Sequence, residues 1–213
     1  MSAVPLAELA AVRWGPVAGA ASAAAALAVL DLTVWSRGPG SELVVLVAGL
    51  LGGAAALGLD DPASGVTRGV PTTRRRRTGV RLVVAAGAVA LWCLYVARVA
   101  HVVPASWVTL AVIGGGVVSL CVGSACALGR DGDGQPGTLV ASTAVLGTLG
   151  LMILPVPGEV AVYDASSRWT DATRLWTGLG LVGVAALCWG SADAWRRGFR
   201  QPRTAAIVSR YQP

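Results

Sequence analysis

The chain has 213 residues, of which 54% are apolar and only 13% are charged. Because an average soluble domain carries about 25% charged residues, this composition excludes an ordinary soluble domain and predicts a membrane protein. The formal net charge is +6, and every basic residue is an arginine. Without lysine, the chain cannot supply the lysine of a nucleotide-binding P-loop, so any ATP hydrolysis must come from another polypeptide.

Six apolar runs follow one another along the chain. They cover residues 16–35, 43–59, 80–103, 107–128, 138–154 and 175–195. Each is close to the roughly 20 residues with which an α-helix crosses a bilayer. The runs are continuous, whereas a membrane β-barrel alternates apolar and polar residues along segments of about ten. The sequence therefore predicts an all-α polytopic transmembrane helical bundle, with one domain over residues 1–213, in the cell membrane.

The arginines are unevenly distributed between the two sides of the predicted bundle. One side carries thirteen, at positions 13, 68, 74–77, 81, 130, 196, 197, 200, 203 and 210, and the other carries four, at positions 37, 98, 168 and 174. By the positive-inside rule, the first side and both termini are cytoplasmic. Charge at helix ends suits anionic lipid, so no nucleic-acid partner is expected. Arg13 before an Ala-rich stretch also resembles a cleaved secretory signal, but the run continues to Trp35 without a small-x-small site.

Few polar residues fall inside the runs. Asp31 lies deepest among the acidic residues, and an unpaired charge there costs about 3 kcal/mol. We therefore predict that Asp31 faces the bundle and pairs with Arg98; the alternative is a role in proton transfer. His101, the single histidine, lies near the outer end of the third run and is interpreted as an interfacial polar residue, with pH sensing as the alternative.

Catalytic and cofactor sites are not expected. One histidine cannot provide a bis-histidine haem or a His-based zinc site. The four cysteines lie inside predicted spans and form no C-x-x-C pair. The Asp and Gly residues between 130 and 134 are typical of a turn between two helices. We predict no enzyme activity, no cofactor and no metal.

Small residues at four-residue spacing predict close helix packing. Gly49 and Gly53 form one such pair, and Gly115, Ser119 and Gly123 form a longer stripe. The expected contacts are within the bundle, with a second copy in a homodimer, or with a second membrane subunit. A hinge at residues 114–116 is the alternative.

The segment 60–79 is the longest predicted cytoplasmic loop. Asp61 followed by Pro62 is a favourable helix start, because a carboxylate accepts the first free amides and proline lacks one. A short helix over 62–68 is expected, ended by Pro71. Arg74, Arg75, Arg76 and Arg77 then precede the third run, where they can meet lipid phosphates.

Residues 59–63, reading LDDPA, together with Val70-Pro71 and the arginine run, resemble small actinobacterial membrane proteins of the ABC-transporter permease type. The resemblance is strongest over 57–82 and implies a six-helix subunit whose 60–79 loop docks on a separate cytoplasmic ATPase. The residues implied in that contact, or in lipid binding, are Asp60, Asp61, Pro62, Arg74, Arg75, Arg76 and Arg77. The segment 155–174 departs from the family, because it lacks apolar re-entrant helices. The alternative is a non-transporting membrane scaffold or accessory subunit, in which the loop only fixes orientation.

Overall fold

The computed structural model describes residues 12–35, 43–60, 74–99, 107–130, 135–153 and 169–192. These residues form six helices, with short turns and no strand among them. The helices are α1 (Trp14–Leu30, continued by a π-helical turn, Asp31–Trp35), α2 (Leu43–Leu57), α3 (Arg74–Val99), α4 (Trp107–Leu128), α5 (Pro136–Ile153) and α6 (Trp169–Ser191). Each falls on one of the six apolar runs, and the predicted all-α class is confirmed.

Two helices begin six residues earlier than the sequence predicts. α3 begins at Arg74 rather than at 80, and α6 begins at Trp169 rather than at 175. Hydropathy detects only the apolar part of a helix. Arginine is a good helix former, so the helical backbone can continue beyond the apolar part. Arg74 to Arg77 therefore belong to the first turn of α3 rather than to the loop. The connecting segment is 61–73, and it lies outside the described residues together with the predicted helix at 62–68.

Three helices are long and apolar enough to cross a membrane, namely Trp14–Thr33, Arg77–Val99 and Trp107–Leu128. Leu43–Leu57 and Pro136–Leu151 are apolar but shorter. These properties are those of a membrane protein.

α2 lies at the centre of the bundle. It packs against α1, α3, α4 and α5, and eleven of its fifteen residues are buried. It consists only of Leu, Val, Ala and Gly, so it has no polar face to turn outward. A helix that is apolar all round is expected in a protein core or in a membrane.

The exterior of the bundle is also apolar. Leu94, Leu146 and Leu181 are each about two-thirds exposed, at 67%, 68% and 66%. Polar side chains, by contrast, are found inside, including Asp31, Asp60 and Arg81. In water each exposed leucine would cost about 25 cal/mol for every Å² of apolar surface left uncovered. Lipid removes that cost, so this distribution suits a bilayer.

Glycines set the closest helix contacts. A Cβ atom at Gly49 would lie 2.6 Å from the Cγ2 of Thr148, and one at Gly53 would lie 3.3 Å from the Cβ of Ala141, so both predicted glycines lie where α2 meets α5. A Cβ atom at Gly123 would meet the carbonyl of Gly183 on α6.

The third member of the longer stripe is placed differently. Gly183 packs against the backbone of Ser119, so both Ser119 and Gly123 lie on the α4–α6 contact. A Cβ atom at Gly115, however, would have no neighbour within 4 Å. The close positions are Gly114, against Trp92 of α3, and Gly116, where a Cβ atom would lie 2.7 Å from the carbonyl oxygen of Trp176. Within this chain the close contacts of α4 with α6 therefore run through Gly116, Ser119 and Gly123, and a contact of Gly115 with a second copy or another membrane subunit stays a prediction.

Candidate functional site at the base of the 61–73 segment

A largely buried polar cluster joins the end of α2, from which the 61–73 segment departs, to α3 and to the start of α5. We call this cluster the loop base and define it as Asp60, Arg81, Gly137 and Thr138. Asp60 and Arg81 flank the segment in sequence, and their side chains are 2% and 4% exposed.

The turn after α2 delivers Asp60 to this cluster. Past Leu57, the amide of Leu59 donates to the carbonyl of Ala56 at 2.9 Å, and that of Asp60 donates to Leu57 at 3.2 Å. Gly58 fits this turn against α3, since a Cβ atom there would lie 2.9 Å from the Cβ of Val84. Residues 58–60 therefore form a tight turn that packs against α3.

Asp60 caps the N-terminus of α5. Its Oδ1 accepts the amide of Gly137 at 2.6 Å, and its Oδ2 accepts the amide and the hydroxyl of Thr138 at 3.0 and 2.8 Å. The first amides of a helix have no partner within the helix and favour a negative charge, and Pro136 at the first position has no amide to satisfy. The cap is unusual because it comes from a residue 77 positions away.

Gly137 makes this approach possible. A Cβ atom at that position would meet the carbonyl oxygen of Ala56 and would lie 2.8 Å from the Oδ1 of Asp60. Any larger residue would therefore push α5 away from the end of α2.

Arg81 closes the loop base from the other side. Its Nη1 donates to the carbonyl oxygens of Leu59 and Asp60, each at 3.2 Å. These carbonyls follow the end of α2, where a cation is favourable. The buried guanidinium thus lies beside the backbone of Asp60, and it joins the third turn of α3 to the end of α2.

Two further contacts occur at the same end of the bundle. Arg13, just before α1, donates to the Oε1 of Gln135 at 3.3 Å. Arg130, just after α4, donates to the carbonyl of Trp189 near the end of α6, and its guanidinium lies 4.5 Å from the centre of the Trp189 ring. α1, α3 and α5 therefore begin, and α2, α4 and α6 end, at what we call the loop end.

The opposite end, which we call the far end, holds a second buried carboxylate. Asp31, at the start of the π-helical turn, is 3% exposed, and its Oδ2 accepts the hydroxyl of Tyr95 at 2.6 Å. The ring of Tyr95 lies 5.6 Å from that of Trp92, whose indole N–H donates to the carbonyl of Leu110 at 3.0 Å. Asp31 faces the bundle, as predicted.

The predicted site residues are thus separated by the structure. Asp60 is buried in the loop base, where its carboxylate accepts hydrogen bonds from α5. Arg77 is half-buried. Arg98 is exposed in the last turn of α3, one turn beyond Tyr95, and its pairing with Asp31 stays a prediction. Asp61, Pro62 and His101 lie outside the described residues, and for Arg74, Arg75 and Arg76 only the backbone is described.

Five residues that build these sites are not predicted by the sequence. Arg81 is predicted only as a topological charge, and no motif marks Gly137, Thr138, Trp92 or Tyr95. Pro136 is the one sequence signal for a cap at this position. Proline is common at the first position of a helix, and a helix start needs a cap. Nothing local indicates that the cap comes from Asp60.

The chemistry available at these sites is binding and positioning. Among the residues that the structure describes, no group of three or more His, Cys, Asp or Glu side chains could hold a metal ion. The oxygens of Asp60 accept three hydrogen bonds from α5, so they are engaged in holding helices. No protein-family model, no curated protein and no solved structure matches this chain significantly.

Proposed function

We propose that the chain is a permease-like membrane subunit of an ABC-type transport system, coupled to a separate ATPase through the 60–79 segment. In this proposal all six helices cross the membrane, and the loop end faces the cytoplasm. The observation that carries the proposal is the loop base, which joins α2, α3 and α5 next to the residue from which the segment departs.

The loop base provides a mechanical path from the segment into the bundle. Asp60 connects the beginning of the segment to the first turn of α5, and Arg81 connects α3 to the end of α2. A displacement of the segment by a docked partner would therefore move α2, α3 and α5 together. A loop that only fixes orientation requires positive charge, but it does not require a carboxylate that caps a distant helix.

The arginine distribution supports the proposed orientation. Arg13, Arg81 and Arg130 all lie at the loop end, and Arg74 to Arg77 begin α3 there. Arg98 lies in the last turn of α3, towards the far end. With six alternating helices, the positive-inside rule then places the loop end and both termini in the cytoplasm.

The test is co-purification from the membranes of the source organism. Since Asp60 supports the fold, the variant leaves it intact and replaces only Asp61→Ala and Pro62→Ala. We expect the wild-type chain to retain, at a fixed ratio, a protein that hydrolyses ATP, and the double variant to lose it. The matched control is Asp131→Ala with Asp133→Ala, which removes two carboxylates from another turn predicted on the same side and should retain the ATPase. A wild-type chain that retains no ATPase contradicts the proposal.

The second candidate is a non-transporting scaffold or accessory subunit. The observation that favours it is the α4–α6 contact, where glycines bring the two backbones together, as a static bundle requires. In that case the loop base is a brace, the arginines bind anionic lipid, and the double variant leaves every co-purifying protein unchanged. A homodimer or a second membrane subunit is compatible with both candidates.

A further inference from the structure

The loop end carries an arginine that lies on an exposed tryptophan, and the coupling proposal does not use this pair. Arg130 follows the last turn of α4, and Trp189 lies in the last turn of α6. The guanidinium of Arg130 lies 4.5 Å from the centre of the Trp189 ring and donates to the Trp189 carbonyl. Trp189 is 52% exposed, and Arg130 is half-buried.

A glycine contact sets the position of this pair. A Cβ atom at Gly190 would lie 2.5 Å from the carbonyl carbon of Cys126, so the ends of α4 and α6 meet backbone to backbone. Gly190 is buried in this contact. Trp189 precedes it and therefore lies about 100° around the helix, on the side that is exposed. The pair thus lies at the outer edge of the α4–α6 contact.

Two interactions hold the guanidinium in this place. The carbonyl of Trp189 belongs to the last turn of α6, where carbonyls lack a partner within the helix and a cation is favourable. The face of the indole ring attracts a cation as well. Neither interaction neutralises the positive charge. The charge is therefore carried by the end of α4, while its position is fixed by the end of α6.

The pair lies at the depth of lipid headgroups. Tryptophan is enriched at the two boundaries between hydrocarbon and water. Trp14, at the loop end, is 48% exposed, and Trp107, at the far end, is 66% exposed. The 22 residues of α4 span about 33 Å, which is close to the hydrocarbon thickness of about 30 Å. Arg130 follows this helix and therefore falls in the headgroup layer of one leaflet.

We propose that Arg130 and Trp189 form a binding site for the phosphate of an anionic phospholipid, such as phosphatidylglycerol. The guanidinium binds the phosphate through charge-assisted hydrogen bonds. The exposed part of the indole packs against the glycerol and the first carbons of an acyl chain, as amphipathic rings do at this depth. The proposal is independent of the ATPase, since its ligand comes from the bilayer.

The charges of the loop end favour an anionic headgroup over a zwitterionic one. Arg13, Arg77 and Arg81 lie at this end as well, and Asp60 is the one acidic residue of this end among the described residues. The carboxylate of Asp60 is buried and accepts hydrogen bonds from α5. A choline group would therefore bring its cation into a positive field, whereas a glycerol headgroup brings no cation.

The proposed site differs from a general attraction between arginines and anionic lipid. A general attraction depends on how many cations lie near the membrane surface, so each arginine at the loop end would contribute to a similar extent. Arg13 allows this comparison, because it is exposed at the same end and donates to the side chain of Gln135. A discrete site requires Arg130 and does not require Arg13.

The test is native mass spectrometry of the purified chain in neutral detergent with equal amounts of phosphatidylglycerol and phosphatidylcholine. We expect the wild-type chain to retain one phosphatidylglycerol in preference to phosphatidylcholine. Arg130→Gln removes the charge and should weaken this first binding step about tenfold. Trp189→Leu keeps an apolar side chain but removes the indole, and it should weaken the step about threefold.

Arg13→Gln is the matched control, because it removes one charge from the same end and should leave the first binding step close to its wild-type strength. Melting temperatures without added lipid check that each variant folds; if Arg130→Gln does not fold, Trp189→Leu provides the test. Equal weakening by Arg13→Gln and Arg130→Gln, unchanged binding by both site variants, or a wild-type chain without preference for phosphatidylglycerol overturns the proposal. Displacement of the lipid by an excess of inorganic phosphate also overturns it, since the site would then belong to a soluble anion.

Discussion

The two ends of the bundle use a buried aspartate in opposite ways. At the loop end, Asp60 accepts two backbone amides and a hydroxyl, all from the first turn of α5. At the far end, Asp31 at the end of α1 accepts a hydrogen bond from the hydroxyl of Tyr95 on α3. The first carboxylate completes the N-terminus of α5, whereas the second joins the far end of α1 to α3 through a side-chain hydroxyl. The two buried carboxylates therefore hold the bundle together through different kinds of donor.

The largest expected effect comes from removing the cap at the loop end. Asp60→Ala leaves the amides of Gly137 and Thr138 without their acceptor, and we expect it to lower the free energy of unfolding by about 3 kcal/mol. Thermal unfolding in detergent measures the loss. Asp60→Asn, which keeps one acceptor oxygen, should lose less. If Asp60→Ala unfolds at the wild-type temperature, the cap that Asp60 provides does not stabilise the bundle.

A second prediction concerns the space at the same cap. Gly137→Ala places a methyl group against the carbonyl of Ala56 and the carboxylate of Asp60, and such overpacking costs about 2 kcal/mol. Gly147→Ala is the matched control on the same helix, since a Cβ atom there meets no atom within 4 Å. It should be neutral or slightly stabilising in the same unfolding assay. Equal melting temperatures for the two variants would mean that α5 does not approach Ala56 this closely.

The corresponding prediction for the far end uses two adjacent glycines. Gly114→Ala drives a methyl group into the ring of Trp92, whereas Gly115→Ala meets nothing within 4 Å. Because a side chain gives way more easily than backbone, we expect Gly114→Ala to cost about 1 kcal/mol and to change the tryptophan fluorescence. Gly115→Ala should do neither. The reverse order would show that Gly115, and not Gly114, lies in the close contact with α3.

The smallest expected effect is the loss of the hydroxyl at the far end. Tyr95→Phe keeps the ring between α3 and α4 and removes only the bond to Asp31. Hydrogen bonds between helices in membranes contribute about 0.6 kcal/mol on average, and we expect a loss near that value at neutral pH. Thermal unfolding in detergent measures the loss, and a melting temperature equal to that of the wild-type chain would show that this hydroxyl does not hold α1 to α3.

The positions of the helices could be predicted from the sequence, but not which helices pack against one another. Continuous apolar runs located all six helices, because length and hydropathy decide where a helix can enter lipid. The ends at Arg74 and Trp169 were missed because polar residues continue a helix without an apolar signal. The rotation of α4, which places Gly114 and Gly116 in close contacts and leaves Gly115 open, depends on packing against Trp92 and Trp176.

The candidate sites could be predicted only in part, because their hydrogen-bond partners are distant in the sequence. The burial of Asp31 could be predicted, since the cost of a charge in lipid forces it inward. Its donor, Tyr95, lies 64 residues away and has no motif around it. Asp60 was assigned to a partner because it lies in the LDDPA sequence, but its contacts with α5 arise from the tertiary fold.

The most direct test of the central claim is the side of the membrane on which the loop end lies. With the four native cysteines replaced, a single cysteine is introduced by Arg75→Cys at the loop end or by Ser166→Cys in the segment before α6, and intact cells are treated with a membrane-impermeant maleimide. We predict labelling of the cysteine at 166 in intact cells, and of the cysteine at 75 only after the cells are opened. Labelling of position 75 in intact cells, or recovery of the chain as a dissolved protein without detergent, would contradict the account.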